Sequence, residues 1–341
     1  MEKLTKSGGL EAFNFGTQLA YRYPHLLPMK KKNESSFKVW ASEANRTKQS
    51  ANALFAGLYG GIQEDMIGQV MVIAEGEEQG ANTLTPHESC PRFSDTAGSK
   101  EAGIWLKYYT DPIIARFAAM GTRFNFSAND VLAMQELCGY ETVIRGSSPF
   151  CPIFTPEEWL SFEYYFDIKY HYQLGYGTDI SPRLGMPWVV ASSNLLNDTK
   201  TMDQDLYVSF THREEPPFIL TALGLYNNSC YADADNINTT FPLDQINYQR
   251  AWRTSEIIPV LGHVALERLE CVSVTHNGSF VRVLVNSAPK PLPHCASGPG
   301  GSCPLSNYMD YVQQRHALYG NFSKTCGVQY KGTTDVLSIY S

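Results

Sequence analysis

The sequence predicts an α/β fold with a smaller, mainly α-helical domain inserted in it. Two strand-to-helix units support the α/β class: residues 37–42 precede a helix at 45–60, and residues 205–211 precede another after Pro216 and Pro217. Residues between these units have mostly helical patterns. We therefore predict that residues 1–60 and 181–341 form the two parts of the α/β domain, and that residues 61–180 form the helical subdomain.

The first helix is predicted over residues 4–27, where apolar positions alternate with polar ones until Pro24 and Pro28. The strand at 37–42 follows, and the helix at 45–60 has one apolar face. Arg46 lies at the turn between this strand and helix. Considered alone, it is an exposed arginine at a helix start.

Capping residues mark two helices of the middle segment. Ser127 with Asp130 predicts a helix through Leu137, and Thr155-Pro-Glu-Glu158 predicts one through Leu174. The second helix is rich in aromatic residues, which we interpret as core. The net charge of −7 and the absence of a basic stripe argue against nucleic-acid and anionic-membrane partners, and the short run Lys30-Lys-Lys32 is interpreted as a solvated loop.

A charged turn follows the strand at 205–211, and the next helix begins directly after it. Open α/β sheets bind ligands at the carboxyl ends of their strands, and the free N–H groups of a helix N-terminus attract anions. A phosphorylated small molecule is therefore the predicted ligand. The turn contains His212, Arg213, Glu214 and Glu215.

The last part of the chain is predicted to form a β-hairpin within residues 262–286, with its turn at Asn277-Gly278. Cys295 and Cys303 then enclose a loop that contains Gly298-Pro-Gly-Gly301. We interpret this loop as a disulfide-closed turn, because a phosphate-binding glycine loop requires a following Lys-Ser/Thr and helix.

The eight cysteines include no C-x-x-C pattern, and no H-E-x-x-H occurs, so we expect disulfides rather than a metal site. Glycosylation acceptor sequences also favour export: Asn33, Asn45, Asn125, Asn197, Asn227, Asn238, Asn277 and Asn321. Residues 1–28 nevertheless lack the apolar segment of a signal peptide. We therefore expect that the full-length protein is secreted, or located in the cell wall or vacuole, and has residues upstream of this chain.

Val208-Ser-Phe-Thr-His212 and the apolar helix after it resemble the second active-site motif of the histidine acid phosphatases. This family includes fungal acid phosphatases, phytases and multiple inositol polyphosphate phosphatases. The segment from Leu4-Thr-Lys-Ser-Gly8 to Pro24 is similar to the helix that follows the family's nucleophile strand, and residues 138–159 are similar to its helical subdomain. The resemblance implies a phosphoglycerate mutase-like sheet flanked by helices.

The resemblance also implies functional residues. Arg46, in the pattern Ala41-Ser42-x-x-x-Arg46, matches an arginine that binds phosphate, and His212 matches a histidine that binds phosphate and acts in catalysis. Most members have His-Asp where this chain has His212-Arg213, whereas the inositol polyphosphate phosphatases have His-x-Glu. Glu214 is therefore the predicted general acid and Glu215 the alternative. A third interpretation is that both glutamates only cap a helix.

The family's nucleophile lies in an Arg-His-Gly-x-Arg-x-Pro motif, and no Arg-His-Gly occurs in this sequence. We expect a chain that lacks the central nucleophile strand at its N-terminus and is inactive as written. The full-length protein would hydrolyse phosphomonoesters, inositol phosphates such as phytate among them, through a phosphohistidine and without a metal or cofactor. The alternative is a pseudoenzyme that binds phosphorylated ligands or a protein partner.

The resemblance implies three disulfides: Cys90 with Cys326, Cys138 with Cys151, and Cys295 with Cys303. The family partner of Cys271 lies upstream of the nucleophile motif. Cys271 is therefore expected to be unpaired here, unless Cys230 has become its partner.

Overall fold

The structure, a computed structural model, describes residues 3–27, 37–60, 68–198, 203–227 and 241–340. The chain divides into two compact units. The first comprises Met1–Phe93, Asp179–Leu225 and Val260–Ser341, and the second comprises Ser94–Thr178 and Tyr226–Pro259. The second unit thus begins later than the predicted subdomain and includes a segment beyond His212. The predictions for Lys30–Lys32, Asn33, Cys230 and Asn238 fall outside the described residues.

The described helices and strands of both units are numbered in chain order. The helices are α1 Lys6–Arg22, α2 Asn45–Leu58, α3 Ser99–Ala119, α4 Ala128–Arg145, α5 Pro156–Leu174, α6 Ser181–Asn197, α7 Glu215–Ala222, α8 Thr254–Ile257, α9 Leu305–Tyr319 and α10 Phe322–Cys326. The strands are β1 Phe37–Ser42, β2 Gly68–Ile73, β3 Ser209–Phe210, β4 Val264–Val272, β5 Asn277–Val285, β6 Ala288–Pro289 and β7 Cys303–Pro304. Helices α3, α4, α5 and α8 belong to the second unit. The mixture confirms the predicted α/β class.

The first unit contains a parallel sheet in which β1 lies between β2 and β3. Buried side chains on both faces of β1 make it the centre of the core, as is usual for parallel strands. Strand β3 is shorter than the predicted strand at 205–211. Upstream of β3, the side-chain amide of Gln204 replaces main-chain pairing with β1. Its Oε1 atom accepts a hydrogen bond from the Lys38 N–H at 2.9 Å, and its Nε2 atom donates one to the Lys38 C=O at 2.9 Å.

Helices α1 and α2 pack against this sheet and approach each other closely at two glycines. A Cβ atom at Gly57 would lie 1.9 Å from the carbonyl oxygen of Phe13, and one at Gly16 would lie 2.2 Å from that of Leu54. Only glycine allows this approach, because any side chain would clash with backbone. The contact fixes α2, which carries Arg46 in its first turn.

The predicted hairpin is present as β4 and β5, but the predicted turn position is wrong. Asn277 and Gly278 pair with Val272 and Cys271, so they belong to β5. The loop begins at Ser273, whose hydroxyl accepts a hydrogen bond from the His276 backbone N–H at 2.9 Å. The pairing of nine residues on each strand fixes this register, and it outweighs the turn preference of the Asn277-Gly278 sequence.

The helical second unit begins its helices as the capping patterns predict. Ser127 and Asp130 form a capping box at α4, and Thr155 and Glu158 form one at α5. Helix α4 continues to Arg145, beyond the predicted end at Leu137. The aromatic residues of α5 contribute to the core, where Tyr164 is fully buried.

Three disulfides are present in the described chain: Cys90–Cys326, Cys138–Cys151 and Cys295–Cys303. They are the pairs that the resemblance implied. Cys271, half-buried on β4, is the free cysteine among the residues described. In the same part of the chain, no helix has both the length and the apolar character needed to cross a membrane.

Candidate active site

The ends of the three parallel strands bring charged side chains from distant parts of the sequence to one place. Arg46 follows β1, Glu75 lies two residues after β2, and His212 lies two residues after β3. Parallel strands end at the same edge of their sheet, so these side chains converge there. This edge is the candidate active site.

His212 forms the centre of the site. The Arg46 Nη2 atom lies 2.9 Å from its Nδ1 atom, and the Glu75 Oε1 atom lies 2.9 Å from its Nε2 atom. The histidine and glutamate side chains are only 8% and 13% exposed. Arg46 is therefore directly beside His212, as a shared phosphate site requires.

Glu88 adds a second carboxylate beside Glu75, and its side chain is 41% exposed. Partial burial is the main cause that raises the pKa of this carboxyl, and repulsion from Glu75 and Glu214 adds to it. His212 and Arg46 oppose the rise. The Glu88 carboxyl therefore retains its proton to a higher pH than an ordinary glutamate does.

A metal ion would find suitable ligand types here, since one ligand atom each of Glu75, Glu88 and His212 lies within 4.8 Å of the others. However, both ring nitrogens of His212 already have protein partners, Arg46 and Glu75. A metal would first have to displace one of them. An anion would also have to replace the Arg46 contact at Nδ1, but the displaced Arg46 guanidinium can itself bind the anion.

Glu214, the predicted general acid, lies directly before α7. Its Oε1 atom accepts a hydrogen bond from Arg213 Nε at 3.0 Å, and its side chain is 17% exposed while that of Arg213 is 62% exposed. Its influence on the Glu88 carboxyl indicates that the two glutamates share one electrostatic environment. Glu214 is therefore paired with the exposed Arg213 and lies close enough to Glu88 to help raise the pKa of that carboxyl.

Glu215 occupies a different environment. It is the first residue of α7, is 4% exposed, and its Oε2 atom has no hydrogen-bond partner among the described residues. Burial raises the pKa of this carboxyl well above its ordinary value. The buried Glu215 carboxyl therefore keeps its proton to higher pH than an ordinary glutamate does, and once ionised it helps to raise the pKa of the nearby Tyr340.

We expect Glu215 to make folding pH-dependent. The unfolded chain releases this proton near the ordinary pKa of 4.5, whereas the folded chain holds it to higher pH. The folded state thus binds more protons than the unfolded state. The stability that the Glu215 proton contributes is therefore complete below pH 4.5, and it falls as the pH rises through the raised pKa of the folded state. Glu215→Gln should reduce this fall, measured by denaturant unfolding at pH 4.5 and 7. Glu77→Gln, at an exposed site, is the control, and equal pH dependence in all three proteins would contradict the assignment.

The sequence prediction found Arg46 and His212, but not Glu75, Glu88 or the neighbouring His87, whose ring centroid lies 6.4 Å from that of His212. Glu75 was missed because residues 61–180 were assigned to the helical subdomain. Its signal was the apolar strand Gly68–Ile73 directly before it, which has the same pattern as the strand before His212.

Comparisons with known proteins agree with this geometry. A family model described as the histidine phosphatase superfamily (branch 2) matches residues 1–286. The chain is 32% identical to acid phosphatase PHO1 of Komagataella pastoris over 326 residues, 94% of this chain and 66% of that protein. It is 30% identical to the repressible acid phosphatase of Kluyveromyces lactis over 338 residues, 98% of this chain and 67% of that protein.

Among solved structures, the phytase from D. castellii matches with a TM-score of 0.84 and 26% sequence identity, covering 98% of this chain and 70% of that one. The expected fold is therefore confirmed along almost the whole chain. The chain spans about two thirds of the length of the two curated relatives, 66% and 67%.

Proposed function

Because this chain belongs to branch 2 of the histidine phosphatase superfamily, we propose that it forms the phosphate-binding part of an enzyme that hydrolyses phosphomonoesters. The observation that carries the proposal is the 2.9 Å contact between Arg46 and His212 at the carboxyl ends of parallel strands. Positively charged and N–H groups at this edge are suited to the oxygens of a phosphate.

The proposed roles follow from the chemistry of the reaction. Arg46 and His212 bind the phosphoryl oxygens and stabilise the charge that spreads over them. Glu214 protonates the leaving oxygen, because an alkoxide is a poor leaving group. The relatives' names, acid phosphatase and phytase, support a substrate range that includes simple phosphomonoesters and inositol phosphates.

The nucleophile sets a limit on this proposal. The sequence contains no Arg-His-Gly, so the chain as written has no residue that matches the histidine which receives the phosphoryl group. We propose that it binds phosphate without forming a phosphohistidine. The same absence favours the second candidate, a pseudoenzyme that binds phosphorylated ligands without turnover.

We also propose that this protein functions outside the cytosol, as a secreted, cell-wall or vacuolar glycoprotein. Three disulfides support an oxidising compartment. The acceptor asparagines at five sequons are exposed, as glycan attachment requires: Asn45, Asn125, Asn197, Asn277 and Asn321.

Two measurements on the chain as written test the proposed function. Calorimetry at pH 5 should show phosphate binding at one site, and an assay with p-nitrophenyl phosphate should show no hydrolysis. Hydrolysis would reject the claim that the nucleophile is missing. Absence of phosphate binding would reject the anion site itself and, with it, both candidate functions.

A further inference from the structure

The protonation state of His212 can be derived from its two partners. A guanidinium has only hydrogen-bond donors, so Arg46 must donate to Nδ1, and Nδ1 carries no proton. The proton of the neutral ring therefore lies on Nε2, which donates to Glu75 Oε1 at 2.9 Å. Glu75 and Arg46 together select one tautomer of the free site.

This tautomer does not by itself bind an oxyanion. The oxygens of a phosphoryl group at this edge act as acceptors, and the one N–H of His212 already points to Glu75. His212 can donate to the anion only if Nδ1 gains a proton and Arg46 turns from the ring to the anion. The ring then becomes an imidazolium between two negatively charged groups.

We propose that Glu75 is the positioning residue of this site: it holds His212 in the Nε2–H tautomer and stabilises the imidazolium that forms when an oxyanion replaces Arg46 at Nδ1. The inference rests on the proposed function, since it takes the ligand to be a phosphoryl group. Anion binding then takes up one proton from solvent, which forms an Nδ1–H bond on the ring, and no other covalent bond changes. Binding strengthens as pH falls, because the complex holds more protons than the free site.

Other charged or titratable groups near His212 must be separated from this effect. They are Arg46 on α2, Glu75 after β2, His87 and Glu88 in the segment that follows, and the Arg213–Glu214 pair directly after His212. Glu88 matters most, because it carries a carboxyl with a raised pKa and can also take up a proton when an anion binds. Unlike Glu75, it is not hydrogen-bonded to His212 in the described structure.

The tautomer is tested first, by ¹⁵N NMR of the histidine imidazoles in the ligand-free chain at neutral pH. We expect His212 in the wild type to show a protonated Nε2 and an unprotonated Nδ1. Glu75→Gln retains an acceptor oxygen and should keep this pattern, while Glu75→Ala should give mixed tautomers. Resonances of the other histidines report whether each variant is folded. An unchanged His212 pattern in Glu75→Ala would overturn the positioning role.

Proton uptake is tested by calorimetry with sulfate, a tetrahedral oxyanion that does not itself titrate between pH 5 and 7. Titrations in buffers of different ionisation enthalpy give the number of protons taken up. Loss of the carboxylate charge in Glu75→Gln should reduce this number and weaken sulfate binding at pH 5 by roughly tenfold, since a hydrogen bond to a charged group contributes about 1.5 kcal/mol or more.

Glu88→Gln is the matched control, because it removes an ionisable carboxyl from the same site without removing a hydrogen bond to His212. It should retain the part of the proton uptake that belongs to His212, and it should bind sulfate at least as tightly as the wild type. Equal affinity and equal proton uptake in Glu75→Gln and the wild type would overturn the proposal. If the wild type binds neither sulfate nor phosphate, both the proposed function and the formation of the imidazolium are rejected. In that case the NMR experiment still shows whether Glu75 selects the tautomer of His212.

Discussion

Arg46→Ala is expected to lower the affinity of the chain for phosphate about a hundredfold. A guanidinium donates two parallel hydrogen bonds to an oxyanion, and each charge-assisted bond contributes about 1.5 kcal/mol, which together correspond to roughly a factor of a hundred. The substitution also leaves His212 Nδ1 without the donor that lies 2.9 Å away. Calorimetry at pH 5 measures the loss directly.

Arg213→Ala provides the control for total charge. It removes the same positive charge from a neighbouring position, but this side chain is 62% exposed and bonded to Glu214. Screened surface charge has a small effect on binding, so its phosphate affinity should stay within a few-fold of the wild type. Equal losses for the two arginines would show that Arg46 acts through general electrostatics and does not contact the anion.

Glu214→Gln is expected to lower hydrolysis of alkyl phosphates by about two to four orders of magnitude, the usual contribution of a general acid. The measurement requires a form of the chain that is joined to a segment with the family's Arg-His-Gly-x-Arg-x-Pro motif. Loss of the proton donor should affect p-nitrophenyl phosphate much less, because nitrophenolate is a good leaving group without protonation. The ratio of the two rates is therefore the diagnostic quantity.

Glu88→Gln is the informative comparison for this prediction. Glu88 reaches solvent beside His212, and its pKa is raised, so it is a further candidate proton donor besides Glu214 and Glu215. Glu214, by contrast, is bonded to Arg213. If the dependence on the leaving group is lost in Glu88→Gln and retained in Glu214→Gln, then the assignment of Glu214 from its spacing is wrong.

The local sequence was sufficient to predict the starts of two helices, one strand and two residues of the candidate site. Capping boxes at Ser127 and Thr155 fixed where two helices begin, because a cap involves residues only three positions apart. A short strand was also predicted at residues 37–42, and the observed bounds of β1, Phe37–Ser42, match this prediction. The motif around His212 and the position of Arg46 after β1 were also sufficient to predict an anion site and the family.

Only the tertiary structure decided which groups meet at that site. Arg46 and His212 are 166 positions apart, and His212 and Glu75 are 137 apart, so no local pattern records these contacts. They arise because β1 pairs in parallel with both β2 and β3, which places the carboxyl ends of all three strands at one edge. In the hairpin, too, tertiary pairing outweighs a local signal. Asn277 pairs with Val272 within two nine-residue strands and is not in the turn, because the many contacts between the two strands outweigh one local turn preference.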